Sequence, residues 1–358
     1  MPILEQHEVA AYLLERRLLG RRSIVSGQLR IADASSRNRN FRVSGGAGES
    51  YLLKQGIAAG SAETLANEVA LYRRLAVGAS PIAACIPRLY AYDAARGVLI
   101  LEWIAGGQDL HRYHAARDGC SRTLAAALGR GLAALHGVMP DDEALRDDAP
   151  WVLSLHRPRL DALRYLSAAS IELIRVIQED ERFARGLDEL RDDWRVEALV
   201  HRDVKWANCI AHAPQGGVRR TRIALVDWEM AGWGDPALDV GSAFGELVGH
   251  RLASIAPEGP VGHEHPADRA PRPLHALQPA IATFWRAYVR ARDLDERPAS
   301  RLLVRAVRYA AARLLQSAYE DTQETSVMTA AIAYRVQVAR GMLLAPREAA
   351  AELLGIAP

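Results

Sequence analysis

The chain has 358 residues, 49% hydrophobic and 25% charged, the profile of a globular protein that buries a substantial core. No apolar run approaches the roughly 18 residues a membrane helix needs, and a net charge of +2 with interspersed signs speaks against nucleic acid or an anionic membrane as partner. Three scattered cysteines, Cys85, Cys120 and Cys209, fit neither a disulfide framework nor a paired metal site, so reduced thiols in a cytoplasmic protein are expected.

The opening stretch carries acids early and lacks a basic-then-apolar signal layout, which predicts an amphipathic helix over 3–19. Strands follow at 23–32, 40–43 and 50–55, the first two joined by the polar turn ADASSRNRN and the last two by SGGAGE. Leu65, Val69, Tyr72 and Leu75 recur at helical spacing within 61–76, with Ser61 as a candidate N-cap. Two more strands are expected at 88–92 and 98–104. Beyond Gly106 the pattern turns helical, with helices over 121–137 and 158–178. Between 199 and 228 it becomes extended again around a PQGG turn. Residues 256–275, rich in Pro, Gly and His, predict a long loop. Helices at 276–293, 300–319, 325–343 and 346–354 close the chain. The whole reads as an α+β protein of two lobes, a small sheet-containing lobe at 1–105 and a large helical one at 106–358.

The chemistry concentrates in His201-Arg202-Asp203-Val204-Lys205-Trp206-Ala207-Asn208 and Leu225-Val226-Asp227-Trp228-Glu229. Phosphoryl transfer to an alcohol needs a carboxylate that orients the hydroxyl and accepts its proton. It also needs oxygen ligands that hold Mg²⁺ against the β- and γ-phosphates of ATP. Asp203 suits the base, Asn208 and Asp227 the metal ligands, and Lys205 can neutralise charge developing on the transferred group.

At these residues the chain resembles the kinase superfamily, and within it the aminoglycoside phosphotransferase and choline kinase-like branch. Asp227-Trp228-Glu229 stands where protein kinases carry Asp-Phe-Gly, and Gly234-Asp235-Pro236 followed by Asp239 is similar to a segment of that branch. The resemblance implies a protein-kinase-like fold, a nucleotide site and a cleft between lobes. It puts Lys54 in the place of the lysine that holds the α- and β-phosphates and Glu68 in that of the carboxylate fixing it. Adenine would meet backbone around Glu102, Trp103 and Ile104. Asp239 resembles an aspartate that buttresses the catalytic loop, and Asp235 before Pro236 reads as a helix N-cap.

The first hairpin turn departs from the protein-kinase pattern, having no glycine. Ser35, Ser36, Arg37 and Asn38 are the candidates there for phosphate contact, through hydroxyls, amides and a guanidinium. The alternative is a merely solvated turn. Gly45-Gly46-Ala47-Gly48 joins two strands and precedes no helix, so it is a hairpin turn and not a dinucleotide fingerprint. His263-Glu264-His265 lies in the Pro/Gly loop without further ligands, which favours a loop over a metal site.

For the acceptor, the run DWEMAGWGDPALDVGSAF also resembles phosphotransferases of lanthipeptide- and thioamide-type ribosomal peptide pathways. That implies a precursor peptide phosphorylated on Ser or Thr and a partner lyase that eliminates the phosphate. The alternative is a small-molecule alcohol or aminoglycoside acceptor, although the balanced charge is a poor match for a polycation. A nucleotide-binding protein without catalysis is a third reading, opposed by the presence of Lys54, Glu68, Asp203, Asn208 and Asp227 together.

Overall fold

The computed structural model describes residues 3–35, 38–57, 61–76, 81–115, 117, 119–138, 145, 147–213, 221–255, 274–323 and 325–358. In chain order the principal elements begin with α1 (Val9–Glu15), α2 (Arg21–Val25), β1 (Arg30–Asp33), β2 (Arg39–Ser44), β3 (Ser50–Gln55), α3 (Ser61–Ala76), β4 (Leu89–Asp93), β5 (Val98–Glu102) and β6 (Gln108–Asp109). They continue with α4 (Leu110–Ala115), α5 (Arg122–Leu135), α6 (Ala168–Glu179), α7 (Glu181–Asp192), β7 (Ala198–Val200), β8 (Cys209–His212), β9 (Arg222–Leu225) and β10 (Gly232–Gly234). Four long helices follow, α8 (Pro236–Ile255), α9 (Gln278–Ala291), α10 (Glu296–Thr322) and α11 (Ala330–Leu344). The chain divides into two compact units, Met1–Leu110 with Ala207–Ala231, and His111–Trp206 with Gly232–Pro358. Among the described residues no helix is long and apolar enough to cross a membrane.

The first unit is built on a five-stranded antiparallel sheet in the order β1-β2-β3-β5-β4. Side chains alternate across a strand, and β3 uses both faces. Tyr51 and Leu53 join Leu4, Val9, Leu13, Phe41, Val98 and Ile100 in a buried cluster that holds α1 to the sheet. Lys54, one residue on, projects to the other face. The helix predicted over 61–76 forms with those bounds, and its periodic residues Leu65, Val69, Tyr72 and Leu75 are all buried.

Two predicted elements form differently. The stretch expected to begin a strand at residue 23 instead makes α2, whose Val25 stays exposed. A β-branched run gains nothing from extension where no neighbouring strand covers it. Gly27, at φ 67°, ends that turn before β1 begins. The helix expected from residue 158 starts only at Ala168, because the Ser167 hydroxyl caps it by accepting from the Ser170 N–H at 3.0 Å.

The second unit is mainly helical. Its core pairs are α8 with α10 and α5 with α9. Gly241 and Gly245 let α8 lie against α10: a methyl at Gly241 would fall 2.4 Å from the Ala306 carbonyl oxygen, and one at Gly245 would fall 2.8 Å from Arg313 Cβ. Asp235 caps α8 as the sequence suggests, its carboxylate accepting from the Ala237 N–H at 2.9 Å. Buried β7 pairs with β10.

Candidate active site

In the first unit Lys54 is the centre. Its ammonium donates to Glu68 on α3 (3.1 and 2.9 Å) and to Asp227 (2.8 Å). The lysine is only 6% exposed and Glu68 is fully buried, whereas a third of the Asp227 side chain reaches solvent. Burial alone would lower the Lys54 pKa, but the carboxylates of Glu68 and Asp227 outweigh it and raise the pKa above the ordinary lysine value. Burial pushes the Glu68 carboxyl up against the pull of Lys54. The triad therefore holds a charged ammonium with one carboxylate sealed in and the other facing out.

Strand register explains how Asp227 and Asn208 become neighbours. β8 and β9 pair antiparallel, with Cys209 opposite Leu225. The ladder continues one residue further, the Val226 N–H donating to the Asn208 carbonyl at 3.0 Å. Asn208 and Asp227 thus stand at the same end of one hairpin, 19 residues apart in sequence. The PQGG turn that would join these strands lies outside the described residues. Asp227 itself adopts the left-handed region (φ 67°, ψ 65°). A non-glycine residue is held there only by its surroundings. Here the following turn is anchored by fully buried Trp228, whose indole N–H donates to Leu225 O at 2.9 Å.

The candidate metal ligands are hard oxygen donors, an amide and a carboxylate, which suits a divalent cation such as Mg²⁺ that keeps much of its water and takes phosphate oxygens. Among the described residues no group of three or more His, Cys, Asp or Glu side chains is arranged to hold a metal. A metal here would rest on two protein ligands, as that chemistry permits.

The remaining nucleotide candidates are spread over the same unit. The Ser35 N–H donates to Asp33 (2.8 Å) and its hydroxyl accepts from the Asn40 N–H (3.1 Å), so Ser35 closes the β1–β2 turn locally. Asn38 precedes β2 and is half-buried, while Ser36 and Arg37 lie outside the described residues. Glu102 ends β5, and its N–H and carboxylate both meet the Arg88 backbone. The Trp103 N–H donates to Ser50 O at 3.1 Å, and the Ile104 carbonyl accepts from the Gly107 N–H at 3.0 Å.

In the second unit β7 runs into His201-Arg202-Asp203. Asp239, fully buried on α8, accepts from the N–H groups of His201 (2.7 Å) and Arg202 (2.9 Å). It also meets Nε2 of His136, the C-cap of α5, at 3.1 Å, and His136 Nδ1 lies 2.8 Å from the Tyr288 hydroxyl of α9. Burial would raise the Asp239 carboxyl, yet His136 and the backbone amides hold it below the ordinary aspartate value. Arg202 is a second non-glycine residue at positive φ (68°). Its strain falls beside the candidate base and is fixed by Asp239. Asp203 lies 2.8 Å from Lys205 Nζ, so the two predicted catalytic side chains meet.

Sequence reasoning did not single out Glu246. Its carboxylate accepts from the Trp206 N–H at 2.7 Å and from Arg313 Nε at 2.8 Å. The signal was available: Glu246 follows Asp239 by seven residues on one helix, which returns it to nearly the same face. The loop 256–275, apart from its last two residues, and the His263-Glu264-His265 run fall outside the described residues.

A family model described as "Phosphotransferase enzyme family" matches residues 28–274. Solved structures share the fold. A choline kinase from Cryptosporidium parvum Iowa II aligns with TM-score 0.56 at 12% identity, covering 94% of this chain and 95% of that one. An ADP-bound aminoglycoside phosphotransferase aligns with TM-score 0.53 at 14% identity, over 95% and 100%. A choline/ethanolamine kinase family protein from Mesorhizobium loti gives 0.52 at 19% identity, over 93% and 95%. No curated protein matches the chain by sequence.

Proposed function

The chain belongs to the phosphotransferase enzyme family, and we propose that it transfers the γ-phosphate of ATP to a hydroxyl of a small molecule. The observation that carries this reading is Lys54 held between Glu68 and Asp227 at 2.9 and 2.8 Å. An ammonium so buried and so paired is built to present one fixed positive charge to phosphate. Lys54 would hold the α- and β-phosphates, with Glu68 fixing the lysine. Asn208 and Asp227 would hold Mg²⁺, which when bound neutralises charge on the phosphate oxygens. In this reading the β1–β2 turn covers phosphate, residues 102–104 meet adenine, and the lobes divide near residue 106.

Asp203 accepts the acceptor's hydroxyl proton while the oxygen forms its bond to the γ-phosphorus. The bond from that phosphorus to the β–γ bridging oxygen breaks, and ADP leaves. Lys205, 2.8 Å from Asp203, keeps the carboxylate oriented and offers charge to the transferred group.

The ADP-bound relative of this fold is named for aminoglycosides and the others for choline or ethanolamine, all small alcohols. Their names supply the acceptor class proposed here. Polycations fit this chain less well, because Asp239 and Glu246 beside the catalytic loop are committed to backbone amides, His136 and Arg313. A small alcohol that is not a polycation is therefore the acceptor we favour. The precursor peptide and partner lyase implied by DWEMAGWGDPALDVGSAF have no counterpart among these relatives.

Mass spectrometry after incubation with MgATP and a mixed panel tests the reading. A gain of about 80 Da, one phosphoryl group, on a small alcohol that is not a polycation is the expected result. Transfer to Ser/Thr peptides with small alcohols inert would overturn the acceptor. Absence of any ATP turnover across the panel would overturn the catalytic reading.

A further inference from the structure

Two carboxylates of α8 grip the two ends of the loop that carries Asp203. Asp239 binds the entry, at the His201 and Arg202 amides. The exit is the Lys205–Trp206 peptide, whose N–H, on Trp206, donates to Glu246 Oε2 at 2.7 Å. Both the carboxylate and this residue are nearly sealed from water: Glu246 is 8% and Trp206 2% exposed. A buried carboxylate is held only at considerable cost unless its oxygens are satisfied. Here Oε1 accepts from Arg313 Nε at 2.8 Å, and the guanidinium, 8% exposed, continues to Glu320 at 3.5 Å. His111 Nε2 lies 3.8 Å from Oε2.

The helix geometry makes this more than an incidental contact. Seven residues are close to two turns, so Asp239 and Glu246 point from one face of α8. Gly245, next to Glu246 in sequence, admits α10 closely, a methyl there falling 2.8 Å from Arg313 Cβ. A neutral core would pack this space with less desolvation. The charge is retained where a backbone amide of the loop needs a strong acceptor.

We propose that Glu246, held by Arg313, is a positioning residue that fixes the Lys205–Trp206 end of the catalytic loop as Asp239 fixes its beginning. Glu246 touches neither phosphate nor hydroxyl in this scheme. It sets the reach of Asp203 and Lys205 by denying the loop a second conformation. The inference rests on Asp203 and Lys205 carrying the chemistry proposed above.

The test uses the full chain and two readouts, ATP turnover and amide hydrogen exchange by mass spectrometry. Glu246→Ala is expected to lower kcat by about 10–100-fold with KM for MgATP within about twofold, the split of a misplaced catalytic group. Exchange should accelerate in peptides covering 204–207 while those ending at 202 keep their protection. Glu246→Gln, which retains an acceptor oxygen for Trp206, should recover much of kcat. Because Glu246→Ala takes from Arg313 its nearer carboxylate, Glu246→Gln combined with Arg313→Met supplies a neutral pair of similar volume, and its turnover should exceed that of Arg313→Met alone. Unchanged kcat in Glu246→Ala with a lowered melting temperature would make the pair merely structural and overturn the proposal, as would unchanged exchange at 204–207. If the wild type turns over no ATP, the phosphotransferase reading has failed instead, and the exchange measurement alone decides whether Glu246 anchors the loop.

Discussion

Lys54 and Asp227 lie 173 residues apart in sequence and 2.8 Å apart in space, joined by an ammonium that Glu68 grips from behind. The lysine comes from a central strand, one carboxylate from a helix and the other from the end of a hairpin. Each is supplied by an element that folds around its own apolar residues.

Replacing Lys54 by Met should therefore harm both binding and stability. Glu68 would remain buried without its partner, and breaking a buried pair of this kind costs about 3–5 kcal/mol. We expect a melting temperature lowered by several degrees and a KM for MgATP raised more than about tenfold. Glu68→Gln should be milder in stability, since a neutral amide replaces the buried charge. Differential scanning calorimetry with steady-state kinetics separates the two effects, and an unaltered KM in Lys54→Met would remove the lysine from phosphate binding.

Asp203→Asn tests the base. The amide keeps the size of the side chain and loses the proton acceptor. Turnover should fall about 10²-fold or more while MgATP affinity is nearly unchanged, because the groups proposed to hold nucleotide are elsewhere. Turnover within a few-fold of the wild type would exclude the role.

Asp227→Ala tests the metal ligand. With this carboxylate gone, calorimetric titration should show MgATP binding weakened to near that of ATP without metal. Affinity that keeps its full Mg²⁺ dependence would leave Asp227 a purely structural partner of Lys54.

A pH prediction follows from three imidazoles. Burial lowers the pKa of His156, His212 and His250 below the ordinary value of 6.5. On unfolding each regains the ordinary value, so below about pH 6.5 the unfolded chain binds more protons than the folded one. Stability contributed by these neutral rings is fully present above that pH and is lost as pH falls from 6.5 through the folded values. Melting temperatures between pH 7.5 and 5 should decline, and His250→Asn should shrink the decline. A flat profile in the wild type would contradict the assignment.

Much of the candidate site was legible because its residues are local in sequence. Asp203, Lys205 and Asn208 sit on one loop, and Asp227 ends an apolar strand. Periodicity was equally reliable where one face is buried, as in α3, whose bounds and core residues match the spacing. It misled at Ser23–Val25, where β-branched residues have no strand beside them to reward extension. It also set the helix after residue 158 too early, because the Ser167 cap is a single hydrogen bond that no hydrophobic period reveals.

The amino-acid sequence alone determined the family, a phosphotransferase one, and picked out the carboxylates and lysines that are candidates for its chemistry. Tertiary structure decided which of those groups meet. Lys54 reaches Asp227 only through the pairing of β3 within its sheet, the packing of α3 and the β8–β9 register, which together place side chains from three distant segments around one ammonium. Asp239 and Glu246 become the two holders of the catalytic loop only because α8 presents both on one face and lets α10 close against it. Long-range contacts of this kind depend on how helices and strands stack, and no local pattern of residue types encodes them.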